Sequence, residues 1–171
     1  ALEKMIGRQF SDWLIVHFCS LALAGLLIWN NFCISNMAYL RLQVCYENSF
    51  ALANRITMRI EELDGYSPEI PVAVVGEASR ALYGGTIKEF AQINSLTGTN
   101  DRLLYSSESH IRSRKFIEHY IGLHMPAPSK EQKELISGSE MIKGLPSYPA
   151  EGSVVMYEGM IVVKLSDGPV R

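Results

Sequence analysis

The longest apolar run in the chain lies near its start, where WLIVHFCSLALAGLLIWNNFCI covers residues 13–34 without a formal charge. A helix of about 20 such residues crosses a bilayer core of roughly 30 Å. Trp13 and Trp29 would lie about 24 Å apart along such a helix, a spacing that suits two membrane interfaces. A soluble core helix is rarely apolar on every side over this length. The run therefore predicts a membrane-spanning helix.

Two other interpretations of this run were weighed. A cleaved signal peptide has an apolar region of about 7–15 residues followed by small residues. This run is longer and closes with the bulky residues Trp29, Phe32 and Ile34, so a retained helix is favoured. The other alternative is a soluble α/β domain in which the same segment is a buried central helix.

Basic residues near the span set its expected orientation. Lys4 and Arg8 precede it, whereas Arg41, Arg55 and Arg59 follow it and the last two are distant. Since Lys and Arg are retained on the cytoplasmic side, this slight bias predicts a cytoplasmic N-terminal side and an extracytoplasmic remainder.

Residues 36–63 show a second apolar pattern, confined to one face of a helix. Apolar residues recur there at steps of three and four, among them Leu52, Ile56, Ile60 and Leu63. This spacing predicts an amphipathic helix, ended by Asp64-Gly65 with glycine as the left-handed cap. This helix follows the span almost directly, so one long bent helix is an alternative. Polar residues at 30, 31, 35 and 36 mark the expected break from the span, because Asn and Ser side chains compete for backbone hydrogen bonds.

Short β-branched runs follow. Val72–Val75, ended by Gly76, reads as a buried strand. Ser153–Tyr157 and Met160–Leu165 flank Glu158-Gly159, which stands in the position of a two-residue hairpin turn. Because a hairpin alone is marginal in water, we expect Val72–Val75 to join it.

Helical spacing also predicts helices at 86–93 and 108–123. A third begins after Ser129, where Gln132 completes an N-terminal capping box, and runs to about Ile136. Turns and a brief extended piece are expected over 137–152.

The expected fold is therefore α+β. A transmembrane helix continues into an amphipathic helix, and a small extracytoplasmic α/β domain with a short strand and a C-terminal hairpin follows. The expected divisions are 1–35, 36–65 and 66–171.

Composition and residue spacing argue against two kinds of site, a nucleic-acid-binding surface and a metal centre. The net charge of −2 is spread along the chain, so the basic surface of a nucleic-acid-binding protein is not indicated. Cys19, Cys33 and Cys45 lack CxxC spacing, and the four histidines lack ligand spacing, so no metal and no cofactor is expected.

No catalytic constellation emerges from the residues. Ser107, Ser109 and His110 lack a nucleophile elbow. Four arginines are candidates for holding a phosphate or a sugar near the membrane face: Arg41, Arg55, Arg59 and Arg80. A solvated or ion-paired surface is the simpler interpretation of each.

Three stretches carry a resemblance to a known family. The helix entrance Asn36-Met37-Ala38-Tyr39-Leu40-Arg41-Leu42 fits an N-x-x-Y-x-x-L pattern. Pro71 to Gly76 fits P-V-x-x-x-G, and Pro149 to Val154 fits P-x-x-G-S-V. In this the chain resembles the C-terminal part of the bacterial type-II O-antigen glucosyltransferase family and its polytopic relatives. The resemblance covers most of the chain and is weakest over 77–130.

The resemblance implies a parent enzyme in the bacterial cytoplasmic membrane. That enzyme would move glucose from a polyprenyl-phosphate-linked donor to a cell-surface polysaccharide, on the outer side of the membrane. Its general base would be a carboxylate of an early extracytoplasmic loop, so no catalytic residue is carried over to this chain. Asn36 and Tyr39, with Arg41 and Arg80, are the candidate substrate-binding residues.

The chain also begins without Met and directly before the apolar run. We therefore expect a fragment whose span is the last of several. The competing hypothesis is a single-span anchor that carries a binding or scaffold domain without catalysis.

Overall fold

The computed structural model describes residues 2–79, 82 and 110–170, with side chains described over 13–79, 82 and 113–170. The elements in these ranges are, in chain order, α1 Leu2–Glu61, β1 Val72–Val75, α2 His110–Tyr120, α3 Lys130–Gly138, α4 Glu140–Gly144, β2 Val154–Tyr157 and β3 Met160–Lys164. The fold is α+β, as predicted. The chain divides into two compact units, Ala1–Arg41 and Leu42–Arg171.

Helix α1 runs without interruption through the residues at which the sequence predicts a break. The Asn31 side chain does bond the backbone, but its Nδ2 donates to the carbonyl oxygen of Leu27, 3.0 Å away and one turn earlier. That oxygen already belongs to the helix, so the extra bond leaves the helical backbone intact. The expected break is therefore wrong, because an asparagine can bond the preceding turn without ending the helix.

The first unit exposes apolar side chains on all sides. The large apolar residues from Trp13 to Phe32 each keep between 48% and 74% of their surface exposed. One helix among the described residues is thus long and apolar enough to cross a membrane, by length and composition.

A three-stranded mixed sheet forms the centre of the second unit, in the order β1-β3-β2. β1 pairs in parallel with β3, with Val72 opposite Ile161. β2 pairs antiparallel with β3, with Val154 opposite Val163. Val72–Val75 therefore joins the hairpin as predicted.

Glu158 and Gly159 connect β2 to β3 with positive φ angles of 48° and 74°. Both central residues of a type I′ turn need positive φ, and this turn matches the twist of the paired strands. The predicted two-residue hairpin is confirmed.

The two faces of the sheet are both covered, which explains why β3 is buried along its whole length. One face packs against the last turns of α1 and against α2, through Leu52, Ile56, Ile60 and Ile117. The opposite face packs against α3 and α4, through Ile136 and Ile142. β1 can therefore be apolar at every position, and β3 from Met160 to Val163, instead of alternating.

Local capping decides where the short helices begin. Ser129 accepts from the backbone N–H of Gln132, and the Gln132 side chain accepts from the Ser129 backbone N–H. This is the predicted capping box. Ser139 caps α4 in the same manner, by accepting from Ile142. The sequence analysis places turns there and misses α4, because five residues give too little periodicity to reveal a helix.

The helix predicted at 108–123 is present as α2, and Gly122 follows it with a φ of 79°. The helix predicted at 86–93 lies outside the described residues.

We expect Ile56→Ala to lower the free energy of unfolding by about 2–5 kcal/mol, because Ile56 is wholly buried between α1 and the sheet. Met58 is 58% exposed on the same helix, so Met58→Ala should change it by less than about 0.5 kcal/mol. Pulse proteolysis of the detergent-solubilised chain in urea measures both. Equal effects of the two changes would contradict the packing of α1 on the sheet.

Candidate functional site

The predicted substrate-binding residues do not share one face of α1. Asn36 is exposed and Tyr39 is 74% exposed, whereas Arg41 is only 1% exposed. Two steps of about 100° place positions 39 and 41 on nearly opposite sides of the helix. Arg80 lies outside the described residues. The role of these four residues in substrate binding stays a prediction.

Two other candidate arginines bond backbone carbonyl groups of the second unit. Arg55 Nη2 donates to Leu82 O at 2.8 Å, and Arg59 Nη1 donates to Ala150 O at 3.1 Å. The Arg59 guanidinium also lies 4.9 Å from the centre of the Tyr148 ring. These contacts join the end of α1 to later segments. They give Arg55 and Arg59 a structural role that does not require a substrate.

Arg114, which no sequence pattern singles out, links three segments. Its Nη1 donates to Met125 O and Pro126 O at 3.1 and 3.2 Å, and its Nη2 donates to Val72 O at 2.6 Å. Arg114 thereby ties α2 to the entrance of β1. A guanidinium that donates to backbone carbonyl groups of distant residues cannot be recognised from a sequence pattern.

The histidines with described side chains beyond the apolar run lie on the surface. His119 packs edge-on against Tyr120, and His124 Nδ1 lies 3.2 Å from Glu118 Oε1. Across the part of the chain that the structure describes, no group of three or more His, Cys, Asp or Glu residues is placed to hold a metal ion. The side chains of Ser107, Ser109 and His110 lie outside the described residues.

Three polar side chains within the apolar run bond to backbone oxygens of their own helix. His17 Nδ1 lies 2.8 Å from Trp13 O, and Ser20 Oγ donates to Val16 O at 2.8 Å. Asn31 makes the corresponding bond to Leu27. Because hydrocarbon offers no hydrogen-bonding partner, this internal pairing lowers the cost of placing such groups in lipid.

A cleft of about 440 Å³ lies beside the carboxyl ends of β1 and β3. We call it the strand-end cleft. Apolar walls come from Val75 of β1, from Ile136 and Ile142 of the two capped helices, and from Val170. Its polar side chains, among the described residues, come from Ser137, Lys143, Lys164 and Asp167. Clefts outside the carboxyl ends of parallel strands are frequent ligand sites.

Glycine allows the chain to close tightly at this end of the sheet. Gly76 has a φ of 75°, and a Cβ there would collide with the carbonyl and hydroxyl oxygens of Ser166. Ser166 Oγ also accepts from Glu77 N at 2.8 Å. A Cβ on Gly168 would lie 3.0 Å from the Gly76 Cα. The two segments that follow β1 and β3 are therefore in close contact only because both carry glycine.

Lys164 ends β3 with a charged side chain that is 3% exposed. Its Nζ donates to Lys143 O at 2.6 Å, in the last turn of α4, and lies 2.8 Å from Asp167 Oδ1. A cation at a helix C-terminus is favourable to the helix dipole. The sequence patterns did not predict a role for Lys164 or Asp167. The one available signal was the position of Lys164, a lysine at the end of an apolar strand.

Two groups with shifted titration lie away from this cleft. A hydrogen bond from Ser129, followed by backbone bonding, lowers the pKa of the Glu131 carboxyl. Burial, followed by the nearby charge of Glu61, raises the pKa of the Tyr66 hydroxyl. Because the folded protein favours the protonated Tyr66, its contribution to stability is present below the ordinary tyrosine pKa of about 10 and is lost as the pH rises through the folded pKa.

Comparisons with known proteins return no matching family model, no matching curated protein and no matching solved structure.

We expect Gly76→Ala to lower the free energy of unfolding by about 2–4 kcal/mol, through its positive φ and its collision with Ser166. Gly65 has a similar φ of 79° and open space around it, so Gly65→Ala should cost only about 1 kcal/mol. Urea denaturation of the two variants measures the difference. If both lose the same stability, the close approach of residues 76 and 166 is not a constraint on the fold.

Proposed function

We propose that this chain is the membrane-anchored C-terminal part of an integral-membrane glucosyltransferase. The enzyme moves glucose from a polyprenyl-phosphate-linked donor to a cell-surface polysaccharide such as O-antigen. The observation that carries the anchoring role is α1, whose apolar residues from Trp13 to Phe32 are exposed on all sides and whose last turns lie in the core of the α+β fold. The catalytic assignment rests on the resemblance at Asn36–Leu42, Pro71–Gly76 and Pro149–Val154.

The exposure of the apolar run supports a lipid environment. Twelve large apolar side chains from Trp13 to Phe32 are each about half exposed or more, and a soluble domain rarely leaves so large an apolar surface uncovered. Lipid, or neighbouring membrane helices of the parent enzyme, would cover it. The internally bonded His17, Ser20 and Asn31 fit the same environment.

In this proposal the domain that follows α1 lies on the extracytoplasmic side of the bacterial cytoplasmic membrane. It shapes the acceptor side of the enzyme, while the general base belongs to another loop of the parent. The lipid-linked donor would meet the protein where the helix leaves the bilayer. Asn36 and Tyr39, exposed near that point, are the residues we propose to contact it.

One observation favours the second candidate, a single-span anchored binding domain without catalysis. The strand-end cleft lies wholly within the second unit and is lined by residues on and after β1 and β3. A domain that binds a ligand there would need only an anchor, and no further membrane helices.

Labelling in intact cells tests the proposed orientation. Lys130 is 86% exposed at the start of α3, so Lys130→Cys should react with a membrane-impermeant maleimide before the cells are opened. Glu3→Cys, on the proposed cytoplasmic side, should react only after permeabilisation. The unmodified chain gives the background from its own cysteines. The reverse pattern would contradict an extracytoplasmic domain.

Sugar analysis tests the proposed activity. In the full-length protein, Ile56→Asp places a charge in the core and should abolish the addition of glucose to the surface polysaccharide. Met58→Asp, on the exposed side of the same helix, should leave it unchanged. Membranes supplied with polyprenyl-phosphate-linked radiolabelled glucose report the same step directly. Unaltered glucose content after disruption of the gene would refute the transferase and leave the anchored binding domain.

A further inference from the structure

The strand-end cleft combines an apolar interior with one buried cation. Val75, Ile136, Ile142 and Val170 supply its walls, and Lys164 is the charged residue of the lining that is almost fully buried. Its volume of about 440 Å³ falls within the range of about 300–1,000 Å³ that is typical of small-molecule sites. A ligand that filled it would meet hydrocarbon over most of its surface and the Lys164 ammonium at one point.

The counter-ion of Lys164 is Asp167, a carboxylate that is exposed to solvent. Asp167 pairs with Nζ at 2.8 Å, yet its side chain is 92% exposed. A buried charge requires a partner, but an exposed carboxylate on a surface turn gains little from the pair, because water solvates it equally well. Asp167 can therefore exchange for another carboxylate at little cost.

The other polar side chains of the described lining, Ser137 and Lys143, already have partners. Ser137 Oγ donates to Lys133 O at 2.8 Å. Lys143 Nζ pairs with Glu140 Oε1 at 2.7 Å, and both side chains are exposed. An ammonium carries three donors, and among the described contacts of Lys164 two are directed at Lys143 O and Asp167. The site thus offers one strong anchoring cation instead of the several donors that a phosphate dianion requires.

We propose that the strand-end cleft binds a small monocarboxylate with a branched or aromatic apolar body. The carboxylate replaces Asp167 at Lys164 Nζ, and the apolar body lies against Ile136, Ile142 and Val75. The Asp167 oxygen at 2.8 Å shows that a carboxylate fits this position. This inference stands apart from the glucosyltransferase proposal, because it uses only residues of the second unit.

The test uses the full chain in non-ionic detergent, with isovalerate as the probe. Isovaleramide has the same shape without charge, and inorganic phosphate has charge without the apolar body. Binding is followed by two-dimensional NMR of the Lys164 and Val170 amides. Isovalerate should saturate, whereas the amide and phosphate should bind at least tenfold more weakly.

Variants with opposite expected effects identify the site. Asp167→Asn removes the competing carboxylate and should tighten isovalerate binding about threefold to tenfold. Lys164→Met should weaken it at least tenfold. Lys130→Met removes an exposed lysine outside the cleft and should change nothing.

Several results would overturn the proposal. They are the absence of saturable binding in both the unmodified chain and Asp167→Asn, equal binding of isovalerate and isovaleramide, tighter binding of phosphate, or weaker binding in Asp167→Asn. Asp167→Asn alters an exposed side chain, so it tests the proposal even if Lys164→Met fails to fold.

Discussion

The structure depends on a single helix, α1, whose apolar residues follow two different patterns along its length. A helix in a protein core needs apolar residues along one stripe, whereas a helix in lipid needs them on every side. α1 shows both patterns in succession: large apolar side chains are exposed on every side from Trp13 to Phe32, and only one stripe is buried near Ile56 and Ile60. The first charged residue after the apolar run is Arg41, and it is almost fully buried. This change of pattern is what a helix that passes from lipid into a protein core would show, and it supports the proposed membrane span.

The rest of the fold is organised around the sheet and the helix α2 that cover the last turns of α1. Three strands give the sheet an apolar face for α1 and α2 and a second face for α3 and α4. Since β1 and β3 run in parallel, their carboxyl ends lie together. Gly76 and Gly168 let the two segments beyond them approach closely. The strand-end cleft and its buried Lys164 are consequences of this topology, and they exist only because a strand from the start of the domain pairs with one from its end.

Elements with a strong local cause could be predicted from the sequence. The Glu158-Gly159 turn, the Ser129 capping box and the apolar run each follow from a few neighbouring residues. The strand-end cleft could not be predicted in this way, because it depends on contacts between residues that are distant in the sequence. Lys164 is buried only because β1 pairs with β3 and the end of α4 lies against the Lys164 side chain. The residues next to Lys164 in the sequence do not indicate these contacts. The continuity of α1 was misjudged for the opposite reason. Local propensity suggested a break at Asn31, but its side chain bonds the preceding turn.

Residue-resolved amide hydrogen exchange in lipid bilayers tests the central claim, that the exposed apolar segment and the core segment are one helix. The account predicts slow exchange without a gap from residue 13 to residue 61, because every backbone N–H in this range lies within α1. In the proposed membrane span, lipid itself would protect residues 13–34, so their protection should not need the domain. A rapidly exchanging stretch between residues 30 and 36 would contradict the continuous helix, and rapid exchange over residues 13–34 would contradict the membrane span itself.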